Sequence, residues 1–447
     1  MANFNWLRGT VACIVLGSSC LTGCTKPQSG SETPISTEGS SKLATQVDSK
    51  AASTAEAKDV TAAKARIAAL GSRSKYAPKD GNLLTEIVIQ DGSNLQSEDL
   101  VLFGKLSDLK KLQIFNCRTL NDEMVAQLSG LKGLTSLALT NSVINDSGVE
   151  TIVKSFPELT ELDLSSNTNM TNGVVKIISN LGKLQRLTLV QNQINDIGAQ
   201  RLSKLQELRS LDLRGNMEAG DMTLEVVAGL PHLQSFKHRS TAVNDSGLEY
   251  LSQGQALESL LLQDFVITDQ SGPHLAKLSK LSQLEIFRCQ GFGSDGVLAL
   301  KGMGLIRLTL RDLPNVDDRA MEVFDDLPQL RRLYLHELTS VGDAGLKHLA
   351  GLKSLELLDI WTVPQMTDET VDVISQLPNL KDLSIRVTGV TDSAIDKLLT
   401  MKSLQSLTFK ENGSITAEGL KKLSARKWSK LDLGTSNQSD GNDAAAQ

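Results

Sequence analysis

The chain is poor in aromatic residues, with three Trp, three Tyr and ten Phe in 447 residues. Any aromatic cluster therefore has to be local. Histidine is equally scarce at five, and no His-Glu-x-x-His or His–Cys grouping occurs, which removes the common zinc patterns. The five cysteines contain no Cys-x-x-Cys pair and no disulfide framework. No block of Lys or Arg stands out. Both signs are interspersed and leave a net charge of −6, so there is no electrostatic footprint for nucleic acid. Phosphate-loop chemistry is missing too, because Gly302-Met303-Gly304 lacks a following lysine. No Gly-x-Ser-x-Gly elbow exists. These absences leave no catalytic constellation, no metal site and no cofactor to expect, and the chain reads as a non-enzyme.

The N-terminus carries a different signal. Arg8 is followed by the uncharged stretch Gly9–Leu21, too short to span a bilayer as a permanent helix. It ends in Leu21-Thr22-Gly23-Cys24. This end resembles the lipobox of bacterial lipoproteins, in which the cysteine is acylated and becomes the new N-terminus. The resemblance implies a signal peptide over 1–23, lipidation at Cys24 and membrane attachment through lipid only. Thr25, rather than aspartate, after the cysteine implies the outer membrane, on its periplasmic or surface face. Residues 24–55 are Ser-, Thr-, Gly- and Lys-rich and read as a disordered tether spanning about 30 Å. Alanine-rich sequence ending in Leu70-Gly71 predicts a helical cap over 56–83.

Leucine is abundant and regular. The pattern apolar-x-x-apolar-x-apolar runs from Leu84-Ile87-Ile89 through Leu208-Leu211-Leu213 to Trp428-Leu431-Leu433. It makes fifteen units, each 24 or 25 residues after the last. Alternation within Leu-x-Leu predicts a short strand, and the fixed period predicts a stack of such units. Ile/Val-x-Asp-x-Gly follows, as at Ile144–Gly148, with its aspartate read as a helix N-cap. Aspartate fills that place ten times, Asp146, Asp245 and Asp343 among them, Asn172, Ser97 and Ser294 replace it, and Ala417 departs. The turn resembles that of the cysteine-containing leucine-rich repeat. In that type a Cys or Asn hydrogen-bonds the turn three residues after the last strand leucine, here Cys117, Asn167, Asn192, Asn216, Cys289 and Asn412. The whole chain is similar to bacterial leucine-rich-repeat lipoproteins, loosely called internalin-like. The expected fold is an α/β solenoid, a leucine-rich-repeat horseshoe over 84–433 with a concave parallel sheet and short convex helices. Residues 434–447 are expected to be a disordered tail.

The concave face is where function is expected. The residue after each last strand leucine falls into one column, which reads Phe287, Arg311, His336, Trp361 and Arg386 over five strands. Neighbouring columns add Arg307, Arg332 and Tyr334, with Arg288 at a strand end. Planar side chains interleaved with arginine are what interface centres use. Earlier strands show Thr140, Ser165 and Val190 in that column. His336 and Glu337, as strand neighbours, are expected on opposite sides. The function expected is non-catalytic binding of a protein or peptide by a lipid-anchored monomer, with no nucleic-acid partner. The alternative is a glycan or peptidoglycan binder, since aromatic faces suit sugar rings.

Overall fold

A computed structural model describes residues 58–77 and 80–434. The lipobox with Cys24, the whole of the tether and the tail beyond Gly434 lie outside the described residues. Among those described, no helix is long and apolar enough to cross a membrane.

Sixteen strands form one sheet, each pairing with its neighbours in chain order. The first, Arg73–Ala77, is antiparallel to Asp80–Ile89, and every later pair is parallel, ending with Lys430–Gly434. Register is leucine on leucine: Leu284 pairs with Leu308, Leu308 with Leu333 and Leu333 with Leu358. These leucines point away from the concave side and are fully buried or nearly so. Seven of the ten phenylalanines also lie in this core, Phe156, Phe236 and Phe324 among them, which leaves few rings for the surface.

One sequence expectation changes at the N-terminal end. Helix occupies 58–69, and Gly71, at φ +63°, stops it. Beyond that, the stretch expected to be a helical cap turns into the antiparallel strand. This strand pairs with the first strand of the parallel stack and is itself the short outer edge of the sheet. Val60, Ala63 and Ile67 bury the helix against the stack. Arg66 ties it to the next helix, Ser97–Gly104, through Asp99 at 2.7 and 2.9 Å.

On the convex side α-helical and 3-10 turns are mixed, some repeats holding one type and some both. Asp318–Asp326 is 3-10 throughout. A 3-10 turn rises about 2.0 Å per residue against 1.5 Å for an α-helix, so it covers the return path with fewer residues.

The aspartate turn works differently from a simple cap. In all ten units the aspartate is the first residue of its helical turn, and the residue before it is the N-cap. Asn145, Asn244 and Thr367, for example, accept the N–H two residues on. The aspartate carboxylate instead reaches forward one repeat and accepts the backbone N–H that opens the next turn. Asp122 takes Asn145 N at 3.0 Å, Asp221 takes Asn244 N at 2.9 Å and Asp392 takes Thr416 N at 3.0 Å. Asn172 and Ser294 do the same job for Asn195 and Asp317. Ala417 departs because no further helical turn follows it within the described residues. The glycine two residues after the aspartate makes room for this contact. A Cβ on Gly247 would come within 2.4 Å of Asp221 Oδ1, and one on Gly148 within 2.3 Å of Asp122 Oδ1.

A second ladder lies under the strand ends. Asn167 Nδ2 donates to Leu139 O and Leu164 O at 2.8 and 2.9 Å, while its Oδ1 accepts from Ser142 N at 2.7 Å. Asn216 and Asn412 repeat the arrangement. Cys117 and Cys289 take this place as buried free thiols, with burial pushing each up to about 12.

Candidate binding face

Each strand leaves alternate side chains on the concave side, and most are followed by a residue with left-handed backbone. Arg288 (φ 54°), Asp312 (φ 50°), Glu337 (φ 56°) and Thr362 (φ 55°) belong to this column. Left-handed backbone is uncommon outside glycine, so the turn imposes it on most repeats, with Asp91 and Ser240 as exceptions. It breaks the strand's alternation. Glu337 consequently comes within 3.5 Å of Arg311 Nη2, on the side of His336 and not opposite it as the alternation implied. Arg288 likewise folds back over Phe287, 4.4 Å from the ring centre.

Phe287, Arg311, His336, Trp361 and Arg386 are successive register partners on adjacent strands. Their side chains interlock. Arg311 lies 4.3 Å from the Phe287 ring centre and 5.4 Å from that of Trp361. His336 meets Trp361 edge to face at 5.7 Å and Tyr334 at 6.0 Å. Arg386 stacks on Trp361 at 5.1 Å and Arg307 on Tyr334 at 4.8 Å. Arg332 pairs in register with Arg307 but stands exposed outside the stack. Eight of the nine concave residues singled out in the sequence thus form one cluster.

Sequence reasoning passed over five more. Asp359 sits between His336 Nε2 and Arg386 Nη2, 3.4 Å from each. Burial would raise its pKa, but His336, Arg386 and Ser384 together hold it below the usual carboxylate range. Arg214 and Arg239 occupy the column of Arg311 on earlier strands. Arg214 is held by Asp212 at 3.0 Å; Asp264 is shared by Arg239 Nε at 2.5 Å and Arg288 Nε at 2.7 Å. Their register position was the available signal. Together with Phe287 and Arg311 they line a groove of about 410 Å³, and a second groove of about 550 Å³ runs past Trp361 and Arg386.

The satisfaction of donors is uneven. Among the described residues, six buried side-chain polar atoms lack a hydrogen-bond partner. Four lie on this stretch of the concave face: Thr309 Oγ1, Arg311 Nε, His336 Nε2 and Arg386 Nε. His336 Nε2 is at ion-pair distance from Asp359 without hydrogen-bond geometry. Unpaired buried donors are rare in folded proteins, and each costs about 1–3 kcal/mol.

The family described as leucine rich repeat matches residues 157–217. The fold is a leucine-rich-repeat solenoid. No curated protein matches the chain at a significant level. Among solved structures, the TLR13–ssRNA13 complex superposes at a TM-score of 0.50 and 20% identity, covering 75% of this chain and 54% of that one. An internalin, inlF of Listeria monocytogenes, gives 0.44 at 20% identity over 78% of this chain and 94% of that one. The Rad7–Elc1 complex of yeast gives 0.45 at 17% identity, over 89% and 98%. At such identities the likeness is one of fold.

Proposed function

We propose that the solenoid is a non-catalytic scaffold that binds a protein segment on its concave face, centred on Phe287, Arg311, His336, Trp361 and Arg386. One observation carries this reading: partly exposed arginines stack on aromatic rings along one register column, which leaves their outer edges to solvent. A ligand offering acceptors there meets donors already held in place. The rings are already held by their neighbours, so little side-chain freedom is lost on binding. We further propose that Cys24 is lipidated and tethers the solenoid to the bacterial envelope, on the strength of Leu21-Thr22-Gly23-Cys24. Two or more acyl chains give stable anchoring where one is marginal.

The test is a pull-down from a detergent-solubilised envelope. Trp361→Ala should abolish capture while the melting curve stays unchanged, and Ser165→Ala, in the same column, should have no effect. Capture by Trp361→Ala at the wild-type level would refute the concave assignment. For the anchor, Cys24→Ala should release the protein from membranes or leave it unprocessed. An unmodified wild-type N-terminus upstream of residue 24 in intact-mass analysis would refute lipidation.

A further inference from the structure

We infer that the ligand is an extended peptide segment with a carboxylate at every fourth residue, seated on Arg239, Arg311 and Arg386. This rests on the concave-face reading and names its ligand class. The three arginines share one register column, and each is three strands from the next. Parallel strands lie about 4.8 Å apart, so three strands span about 14 Å at the backbone. Side chains converge on a concave face, which shortens that spacing at their tips. An extended chain rises about 3.3–3.4 Å per residue, so residues four apart lie about 13.4 Å apart on the same side. The two spacings match. The intervening same-side residue then falls beside Phe287 in the first interval and Trp361 in the second.

Each arginine is prepared for such a partner. Arg311 and Arg386 stack their flat faces on Phe287 and Trp361, and 33% and 24% of their side-chain surface stays exposed. Arg239 has its Nε on Asp264, and 37% of its side-chain surface is exposed. Stacking engages the face of a guanidinium and leaves the edge, whose fork of donors fits a carboxylate bidentately. Local charge decides against closely spaced phosphates. Asp264, Glu337 and Asp359 lie beside Arg239, Arg311 and Arg386 respectively. A polyanion would meet these carboxylates along its whole length, whereas single charges at the arginine spacing face each of them only across an arginine. A polyuronate, with a carboxylate on every sugar, is disfavoured for the same reason.

The experiment is fluorescence anisotropy on the full-length protein. The probe is a labelled peptide, Glu-Thr-Val-Thr-Glu-Thr-Val-Thr-Glu. It should bind about tenfold or more tightly than an isomer with its glutamates contiguous, and than the version with Gln for Glu. Arg239→Gln, Arg311→Gln and Arg386→Gln should each weaken it about tenfold, with unchanged melting curves. Equal binding of the isomer, undiminished binding by the arginine variants, no binding of the spaced peptide, or tighter binding of polygalacturonate overturns the inference. If the Gln peptide binds as well as the Glu peptide and Trp361→Ala abolishes both, the carboxylate class fails while concave-face binding stands. If the Glu peptide binds Trp361→Ala and the arginine variants as it binds the wild type, both fail.

Discussion

Replacing Asp343 by alanine tests the forward-reaching aspartate ladder. Asp343 accepts four hydrogen bonds from the next repeat: Thr367 N at 3.0 Å, Thr367 Oγ1 at 2.6 Å, Thr370 N at 3.2 Å and Thr370 Oγ1 at 2.5 Å. Removing an N-cap costs about 1 kcal/mol. A hydrogen bond to a charged group is worth about 1.5–3 kcal/mol, a neutral one about 0.5–1.5. The bonds to Thr367 are exposed, which discounts them, and those to Thr370 are partly buried. A loss of about 3 kcal/mol follows for Asp343→Ala, comparable to deleting a buried leucine, for which about 2–5 kcal/mol is usual. Asp221 makes one such bond, to Asn244 N, so Asp221→Ala should cost only about 1 kcal/mol.

Asp343→Asn separates charge from geometry. Oδ1 carries three of the four bonds, and an amide oxygen can keep them, as Asn172 does naturally. Asparagine should therefore cost about 1 kcal/mol. The assay is a urea melt followed by circular dichroism. Repeats are held by their neighbours, so the Asp343→Ala transition should broaden or split as one end unzips. The reasoning is refuted if Asp343→Ala and Asp221→Ala cost the same, or if the asparagine variant is as unstable as the alanine one.

Acid should loosen the solenoid in two stages. Hydrogen bonds from the next repeat outweigh burial and hold Asp245 and Asp343 below their ordinary values, so their contribution is complete above about pH 4 and lost as pH falls through the folded values. His238 acts at higher pH: burial lowers its pKa although Nδ1 and Nε2 face Leu213 O and Ala219 O at 3.1 and 2.8 Å, so stability falls as pH drops below about 6.5. Asp163, raised by burial, opposes this, contributing below about pH 4 and losing that as pH rises through its folded value. Urea midpoints measured from pH 7.5 downward should show both stages, and His238→Leu should remove only the upper one. Gly247→Ala should cost about 1–3 kcal/mol through its clash with Asp221, and Asp221→Ala in the same chain should recover part of it. Strict additivity in that double-mutant cycle would mean the two do not touch.

The period of the leucines was enough to read the fold, because a strand every 24 or 25 residues with one apolar face has to stack. The same period put Phe287, Arg311, His336, Trp361 and Arg386 on one column, and the register agrees. What escaped depended on partners a repeat away or on backbone handedness. Asp245 looks like a cap when only its own helix is considered, since its partners Thr268 and Ser271 lie in the next unit. The strand Arg73–Ala77 escaped because an alanine-rich lead-in predicts helix, and only pairing to Asp80–Ile89 makes it a strand. Glu337 and Arg288 turn inward through left-handed φ values at residues that do not advertise them.

The two sides of the solenoid depend on each other. On the turn side, residue type repeats because every unit faces the same demand: a carboxylate, amide or hydroxyl has to accept the next unit's opening N–H. On the concave side no such demand acts, so Phe, Arg, His, Trp and Arg follow one another, and some of their donors remain unpartnered. The uniform side fixes the spacing of the varied one. Asp343 follows the strand of His336 and binds the turn that follows the strand of Trp361. It therefore holds together the two strands whose rings meet at 5.7 Å. A stack assembled from separate repeats keeps its geometry only while those repeats stay in register. Loss of a turn-side aspartate should thus weaken concave binding without touching a ligand, and Asp343→Asn, which keeps most of the bonds, should restore it.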